Sequence, residues 1–191
     1  MLRSEFMAAF AEVRGDAAVV TGPGGTSGTL WAAGHRAPTV YNMEMGYTAA
    51  VCLGVALARP SRRAVAMEGE GSALAGMPVL STIGRYRPSN LVVVVFDNGV
   101  YGTGSGTVES ATRHGTDLAA AARACGIERV AEVRDVEASR EALRRAMAED
   151  GPWFLVATVE PSDVASGRRP TPGIGHVESA REFRLALAGE A

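Results

Sequence analysis

The sequence predicts an α/β protein with a mainly parallel sheet and helices on both of its faces. Three observations carry that prediction. Short β-branched runs alternate with helix-length Ala-rich or amphipathic segments along the whole chain. The run Leu91-Val92-Val93-Val94-Val95-Phe96 is continuously apolar, as in a central parallel strand covered on both sides. It and the earlier run Ala64-Val65-Ala66-Met67 enclose a helix-length segment, which is the pattern of a βαβ unit.

The elements follow in order. Residues 4–14 form an amphipathic helix with Phe6, Met7, Phe10 and Val13 near one face. Residues 17–21 are a short strand that runs into Gly22-Pro23-Gly24-Gly25-Thr26-Ser27-Gly28, a loop opening a short helix through Trp31. Thr39-Val40-Tyr41 is a strand, and a helix spans about 46–58, stopped by Pro60. After the strand at 63–67, a helix over 72–87 carries Pro78; proline suits a first turn, so a break near Met77 is expected. Residues 97–116 read as a Gly/Ser/Thr-rich loop, long enough to suggest function by its length. Asp117 caps a helix to Ala124, with Gly126 as its stop. A strand at 128–133, a helix at 137–148 and a strand at 153–159 complete the sheet. A Pro/Gly-rich linker at 161–175 leads to a last helix at 178–187, so residues 1–160 form one domain and 161–191 a linker and C-terminal helix.

Bulk properties remove several function classes. A chain of 191 residues fits one domain and buries roughly 70% of its unfolded surface. The net charge is −2 and every one of the 19 basic residues is Arg, with no basic stripe for nucleic acid. Cys52 and Cys125 lie in apolar helical contexts without metal-site spacing and read as buried free thiols. No apolar run reaches the roughly 18 residues that span a bilayer, and the N-terminus lacks a signal-peptide core. A cytoplasmic protein is the default expectation.

The chemistry concentrates at two strand ends. Gly69-Glu70-Gly71-Ser72 follows the first buried run, and Asp97-Asn98-Gly99 follows the second, with 28 residues from Glu70 to Asn98. Parallel strands place ligand sites beyond their carboxyl ends. A helix opening at Gly71-Ser72 points free N–H groups at an anion, glycine lets the backbone come close, and a carboxylate with an amide oxygen suits a hard cation such as Mg²⁺. The pattern asks for a diphosphate bridged by Mg²⁺; no Walker loop is present.

This two-part motif resembles the diphosphate-binding motif of thiamine diphosphate (ThDP) enzymes, usually Gly-Asp-Gly followed after a spacer in the high twenties by Asn-Asn. Here it reads Gly-Glu-Gly and Asp-Asn. Asn42-Met43-Glu44-Met45-Gly46-Tyr47 and its Ala-rich helix also resemble the stretch before that motif, and Thr21-Gly22 with Gly25-Thr26-Ser27 resembles the first strand-end loop. Further likeness lies in Ser81-Thr82-Ile83-Gly84 and Thr116-Asp117-Leu118-Ala119-Ala120. The resemblance covers about Thr21 to Val159. It corresponds to the diphosphate-binding (PP) half of such enzymes and is most like the β subunits, or C-terminal halves, of sulfopyruvate and phosphonopyruvate decarboxylases.

The resemblance implies that Glu70, Asn98 and the Val100 carbonyl ligate Mg²⁺. Gly69, Gly71 and Ser72 hold the diphosphate, and Thr26 and Ser27 line it. Met45 props the bent cofactor, while the Met43 carbonyl accepts from its aminopyrimidine. It further implies a hetero-oligomer: the activating glutamate belongs to a partner with the pyrimidine-binding (PYR) domain, the α subunit. No catalytic residue is assigned to this chain itself, and the substrate is a small 2-oxo acid. Two alternatives stand beside a decarboxylase subunit, namely a carboligase subunit of acetolactate- or acyloin-synthase type and a non-catalytic PP-fold partner. Asp97, Glu44 and Arg113 are secondary candidates. His35, His114 and His176 show no local carboxylate pattern of a general base and read as solvated or structural.

Overall fold

The computed structural model describes residues 1–103, 106–161 and 170–188. Its frame is a six-stranded, fully parallel sheet built from β1 (Ala18–Thr21), β2 (Thr39–Val40), β3 (Ala64–Gly69), β4 (Leu91–Asp97), β7 (Arg129–Val133) and β8 (Trp153–Thr158). Their spatial order is β2-β1-β3-β4-β8-β7, and all five neighbouring pairs are parallel. From β1 the chain steps outward to β2, then crosses back over β1 to β3. That reversal is a topological switch point, where a crevice opens beyond the strand ends.

Eight helices pack around the sheet among the described residues: α1 (Arg3–Val13), α2 (Gly25–Ala32), α3 (Thr48–Ala58), α4 (Glu70–Ala75), α5 (Val79–Tyr86), α6 (Leu118–Ala124), α7 (Val136–Ala148) and α8 (His176–Ala188). Alternation along β4 feeds two cores. Val92, Val94 and Phe96 join Phe6, Met7, Phe10, Leu30 and Leu143 on one face. Leu91, Val93 and Val95 join Cys52, Leu53, Leu80, Ile83 and Leu118 on the other. A period of two on a strand sends successive side chains to opposite faces, and both faces of β4 are buried as its composition predicts.

Local signals act where expected. Asp117 and Asp135 each accept a backbone N–H from the third residue beyond them, at 2.8 Å and 2.9 Å, and so cap α6 and α7. The break near Pro78 separates α4 from α5. Residues 97–116 differ from the open loop read in the sequence. They fold back as an antiparallel hairpin, β5 (Val100–Thr103) with β6 (Gly106–Glu109), then a single 3₁₀ turn at Ala111–His114. Cys52 is buried, whereas Cys125 is half-buried at the end of α6; both thiols are free. Most of the linker at 161–175 lies outside the described residues. The chain returns at Pro170 with its backbone so close to Gly28 that a Cβ there would collide with it.

Candidate functional site

Register alone brings the two halves of the motif together. In the β3–β4 ladder Gly69 pairs with Phe96, so Glu70 leaves β3 beside the point where Asp97-Asn98 leaves β4. The β1 end lies on the other side of β3, with the Gly22 N–H donating to the Met67 carbonyl at 2.7 Å. The loop after β1, the turn into α4 and the turn into β5 thus meet at the switch point. They enclose a cleft of about 180 Å³, lined by Gly24, Gly25, Thr26, Met45, Gly69, Glu70, Gly71, Ser72, Asn98, Val100, Tyr101 and, from α1, Arg3.

Glu70 is the acid of this cleft. It is only 3% exposed, and its Oε1 has no hydrogen-bond partner. Burial holds the carboxyl above the ordinary range and the nearby Asp97 carboxylate adds to this; the backbone N–H groups of Glu70 and Asn98 and the Ser110 hydroxyl pull the other way. A buried, unpartnered carboxylate oxygen costs the fold free energy and is an available ligand position. Asn98 Oδ1 accepts from the Val100 N–H at 3.0 Å and retains a second lone pair. Carboxylate, amide oxygen and backbone carbonyl together form a hard oxygen donor set. No group of three or more His, Cys, Asp and Glu that could hold a metal occurs among the described residues.

Two glycines make the cleft. Gly24, at φ +79°, bends the loop into α2 in a conformation that a side chain disfavours. At Gly71 a Cβ would lie 2.7 Å from Tyr101 Cδ1 and closer still to Cε1, so only glycine admits the ring against the first turn of α4. Asp97 is half-buried and is occupied locally, accepting from Gly99 N–H at 3.0 Å and Thr112 Oγ1 at 2.8 Å.

Eight of the ten residues picked from the sequence line the one cleft: Thr26, Met45, Gly69, Glu70, Gly71, Ser72, Asn98 and Val100. Ser27 and Met43 do not. The Ser27 hydroxyl is fully buried, hydrogen-bonded to Thr21 Oγ1 at 2.6 Å and Gly22 O at 2.8 Å, and it accepts the Asn42 N–H. Its partners make it the brace of the loop after β1. Met43 is half-buried, with its N–H on Thr21 O at 2.9 Å. Met45 is 49% exposed at the cleft's rim.

Three features went unread in the sequence. Arg3 and Tyr101 line the cleft, and Glu68 lies beneath it. The Ser72 hydroxyl donates to Glu68 Oε2 at 2.5 Å and accepts from the Gly46 N–H at 3.0 Å, tying the Met45-Gly46 segment to α4. Burial raises the Glu68 carboxyl, and its hydrogen bonds oppose the shift. The only sequence clue to Glu68 was an acid at the end of an apolar strand. None of the three histidines lines the cleft: His35 bonds the Tyr41 hydroxyl at 3.0 Å, His176 the Tyr41 carbonyl at 2.8 Å, and His114 pairs with Glu109 at 3.0 Å. Among the described residues no helix is long and apolar enough to cross a membrane.

Comparison with known proteins agrees with this geometry. Residues 25–157 match the profile described as "Thiamine pyrophosphate enzyme, C-terminal TPP binding domain". The chain is 38% identical over 177 residues to phosphonopyruvate decarboxylase of Streptomyces viridochromogenes, covering 91% of this chain and 43% of that protein. It is 31% identical over 163 residues to the sulfopyruvate decarboxylase β subunit of Methanococcus maripaludis, covering 84% of this chain and 85% of that one. The chain therefore spans less than half of the first of these relatives and most of the second. In fold it matches the thiamine diphosphate-dependent 4-hydroxybenzoylformate decarboxylase of Rhodococcus jostii RHA1, with a TM-score of 0.65 at 22% identity over 84% of this chain and 32% of that one. A parallel sheet with its cleft at the β1/β3 switch point, and a profile match over most of its length, place this chain in the family of thiamine pyrophosphate enzymes, as a C-terminal TPP-binding domain whose relatives include decarboxylases.

Proposed function

We propose that this chain is the diphosphate- and Mg²⁺-holding subunit of a two-component ThDP-dependent 2-oxo acid decarboxylase. The observation that carries the reading is Glu70, which lines one cleft with Asn98 and Val100 and whose buried Oε1 has no hydrogen-bond partner. Those residues fit the group: one carboxylate, one amide oxygen and one carbonyl would ligate Mg²⁺. Thr26 and the backbone N–H groups of Gly25, Gly71 and Ser72 would hold the phosphates. When bound, ThDP supplies the electron sink that lets a 2-oxo acid lose CO₂.

The chain's own residues position and shield. Met45, at the rim, would support the bent cofactor where it leaves the cleft. The Glu68–Ser72–Gly46 chain of hydrogen bonds fixes that rim to α4. The hairpin β5–β6 carries Tyr101 against Gly71, where the ring would shield that side of the bound group. No histidine reaches the cleft, and Glu70 would be occupied by the metal. The activating carboxylate, which the resemblance to ThDP enzymes puts on a PYR domain, would come from a partner subunit. The near full-length match to a protein named as a β subunit supports that division. The same relatives point to a 2-oxo acid with a second, strongly anionic group.

The test is to purify the chain from its source cells with whatever binds it and to assay the complex on a panel of 2-oxo acids, including phosphonopyruvate and sulfopyruvate. The expected result is a stoichiometric partner carrying a PYR-type domain, with ThDP- and Mg²⁺-dependent CO₂ release. Acetolactate- or acyloin-type products in place of an aldehyde would mark a carboligase. A chain associated only with itself and inert towards every acid would contradict the reading.

A further inference from the structure

Glu68 is the last residue but one of β3 and lies beneath the cleft rather than in its lining. It is 2% exposed and pairs in register with Val95, on a strand where an aliphatic residue is the ordinary choice. Its side chain is the point where the walls of the cleft meet. From α4, the Ser72 hydroxyl donates to Oε2 at 2.5 Å. From the first turn of α3, the Thr48 hydroxyl and the Ala49 N–H favour its ionised form, although Thr48 Oγ1 completes no hydrogen bond. Tyr47 gives that helix no side-chain cap, so the Glu68 carboxylate faces its start instead. From the loop after β1, Gly22 packs so closely that a Cβ there would lie 3.0 Å from Glu68 Cβ and 3.1 Å from Thr48 Oγ1.

The bond from Ser72 decides what that hydroxyl can do. A hydroxyl has one proton to donate. Ser72 gives it to Glu68, and its oxygen accepts the Gly46 N–H at 3.0 Å. The hydroxyl therefore has no donor left for a phosphate, and only the Ser72 backbone N–H remains for one. The Gly46 end of the Met43–Gly46 segment is thus held by Ser72. The other end is held by the Met43 N–H on Thr21 O at 2.9 Å. Between them Met45 stands on the rim of the cleft.

We propose that Glu68 is a positioning residue: through the Ser72 hydroxyl it sets where the Met43–Met45 segment meets the organic half of the cofactor, while the diphosphate is held without it. This rests on the ThDP reading above. Glu68 touches neither metal nor phosphate in this account. It fixes the rotamer of Ser72, Ser72 fixes the backbone at Gly46, and that backbone fixes Met45. A site held to within a fraction of an ångström needs such a supporting layer behind the residues that make contact.

The test is calorimetric titration of the full chain, with its partner where one co-purifies, using ThDP with Mg²⁺ and, separately, inorganic pyrophosphate with Mg²⁺. The readout is the ratio of the two affinities, which a general loss of stability does not move. Glu68→Leu and Ser72→Ala are each expected to lower the ratio of ThDP to pyrophosphate affinity by about 10-fold, the worth of one hydrogen bond to a charged group. The double variant should lose no more than either single one, because both remove the same bond. Glu68→Gln keeps an acceptor oxygen for the Ser72 hydroxyl and should retain most of the ratio. Should Glu68→Leu not fold, Ser72→Ala carries the test. An unchanged ratio in folded variants, or ThDP and pyrophosphate weakened alike, would overturn the proposal while leaving the function intact. A parent that binds neither probe would remove the functional reading and the proposal together.

Discussion

Replacing Glu70 with Gln should make the ligand-free protein more stable at neutral pH while abolishing its response to Mg²⁺ and ThDP. Glu70 is 3% exposed, one carboxylate oxygen has no partner, and burial holds its carboxyl above the ordinary range. A carboxyl with a raised folded pKa binds more protons folded than unfolded, so its contribution is fully present below the unfolded pKa of about 4.3 and is lost as pH climbs through the raised value. Leaving such a group buried and unsatisfied costs about 1–3 kcal/mol. Gln keeps the shape and removes the charge but brings an amide of its own, so a net gain of about 1 kcal/mol is expected. For a chain of this size that is roughly 2–4 °C in Tm. The assay is a set of thermal melts of both proteins from acid to neutral pH, with and without Mg²⁺ and ThDP. The two curves should converge near the unfolded carboxyl value, at about pH 4, and separate above it. With ligand at about a hundred times Kd the parent alone should gain roughly 2.7 kcal/mol. A Glu70→Gln protein that is less stable than its parent at neutral pH, or a gap that ignores pH, would refute the reasoning.

Other consequences are as direct. Gly71→Ala should displace the Tyr101 ring and cost about 1–3 kcal/mol in urea denaturation; adding Tyr101→Ala should remove part of that cost, a coupling that independent sites would not show. Asp135→Ala removes the acceptor of the Ala138 N–H and should lower stability by about 1 kcal/mol without touching ligand affinity, as read by parallel melts and titrations.

The fold was legible because its signals are local and repeated. The continuous run of β4 announced a strand covered on both sides, Asp117 and Asp135 announced helix starts, and Pro78 announced the break between α4 and α5. The hairpin β5–β6 was not legible, because Gly, Ser and Thr in 97–116 give no apolar alternation and the pairing depends on its neighbours. At the site, residue types at the strand ends were readable since parallel register brings them together, as it does Glu70 and Asn98. Side-chain direction was not. Ser27 and Thr26 are adjacent and chemically alike, yet Thr26 lines the cleft and Ser27 turns into a buried network with Thr21 and Gly22. Arg3 was missed for a different reason: it stands 67 positions before Glu70, and only the packing of α1 brings it there. A cation in the first turn of a helix was the one clue it offered.

The central claim is that this cleft holds a diphosphate through a metal bound to Glu70. The most direct measurement is calorimetric titration of the full chain, in the complex in which it is purified, with ThDP in the presence of Mg²⁺ and again after chelation. Saturable binding that requires Mg²⁺ and disappears in Glu70→Gln is the predicted result. Binding that survives chelation or the loss of the Glu70 carboxylate would contradict the account, as would a complex that takes up no ThDP at all.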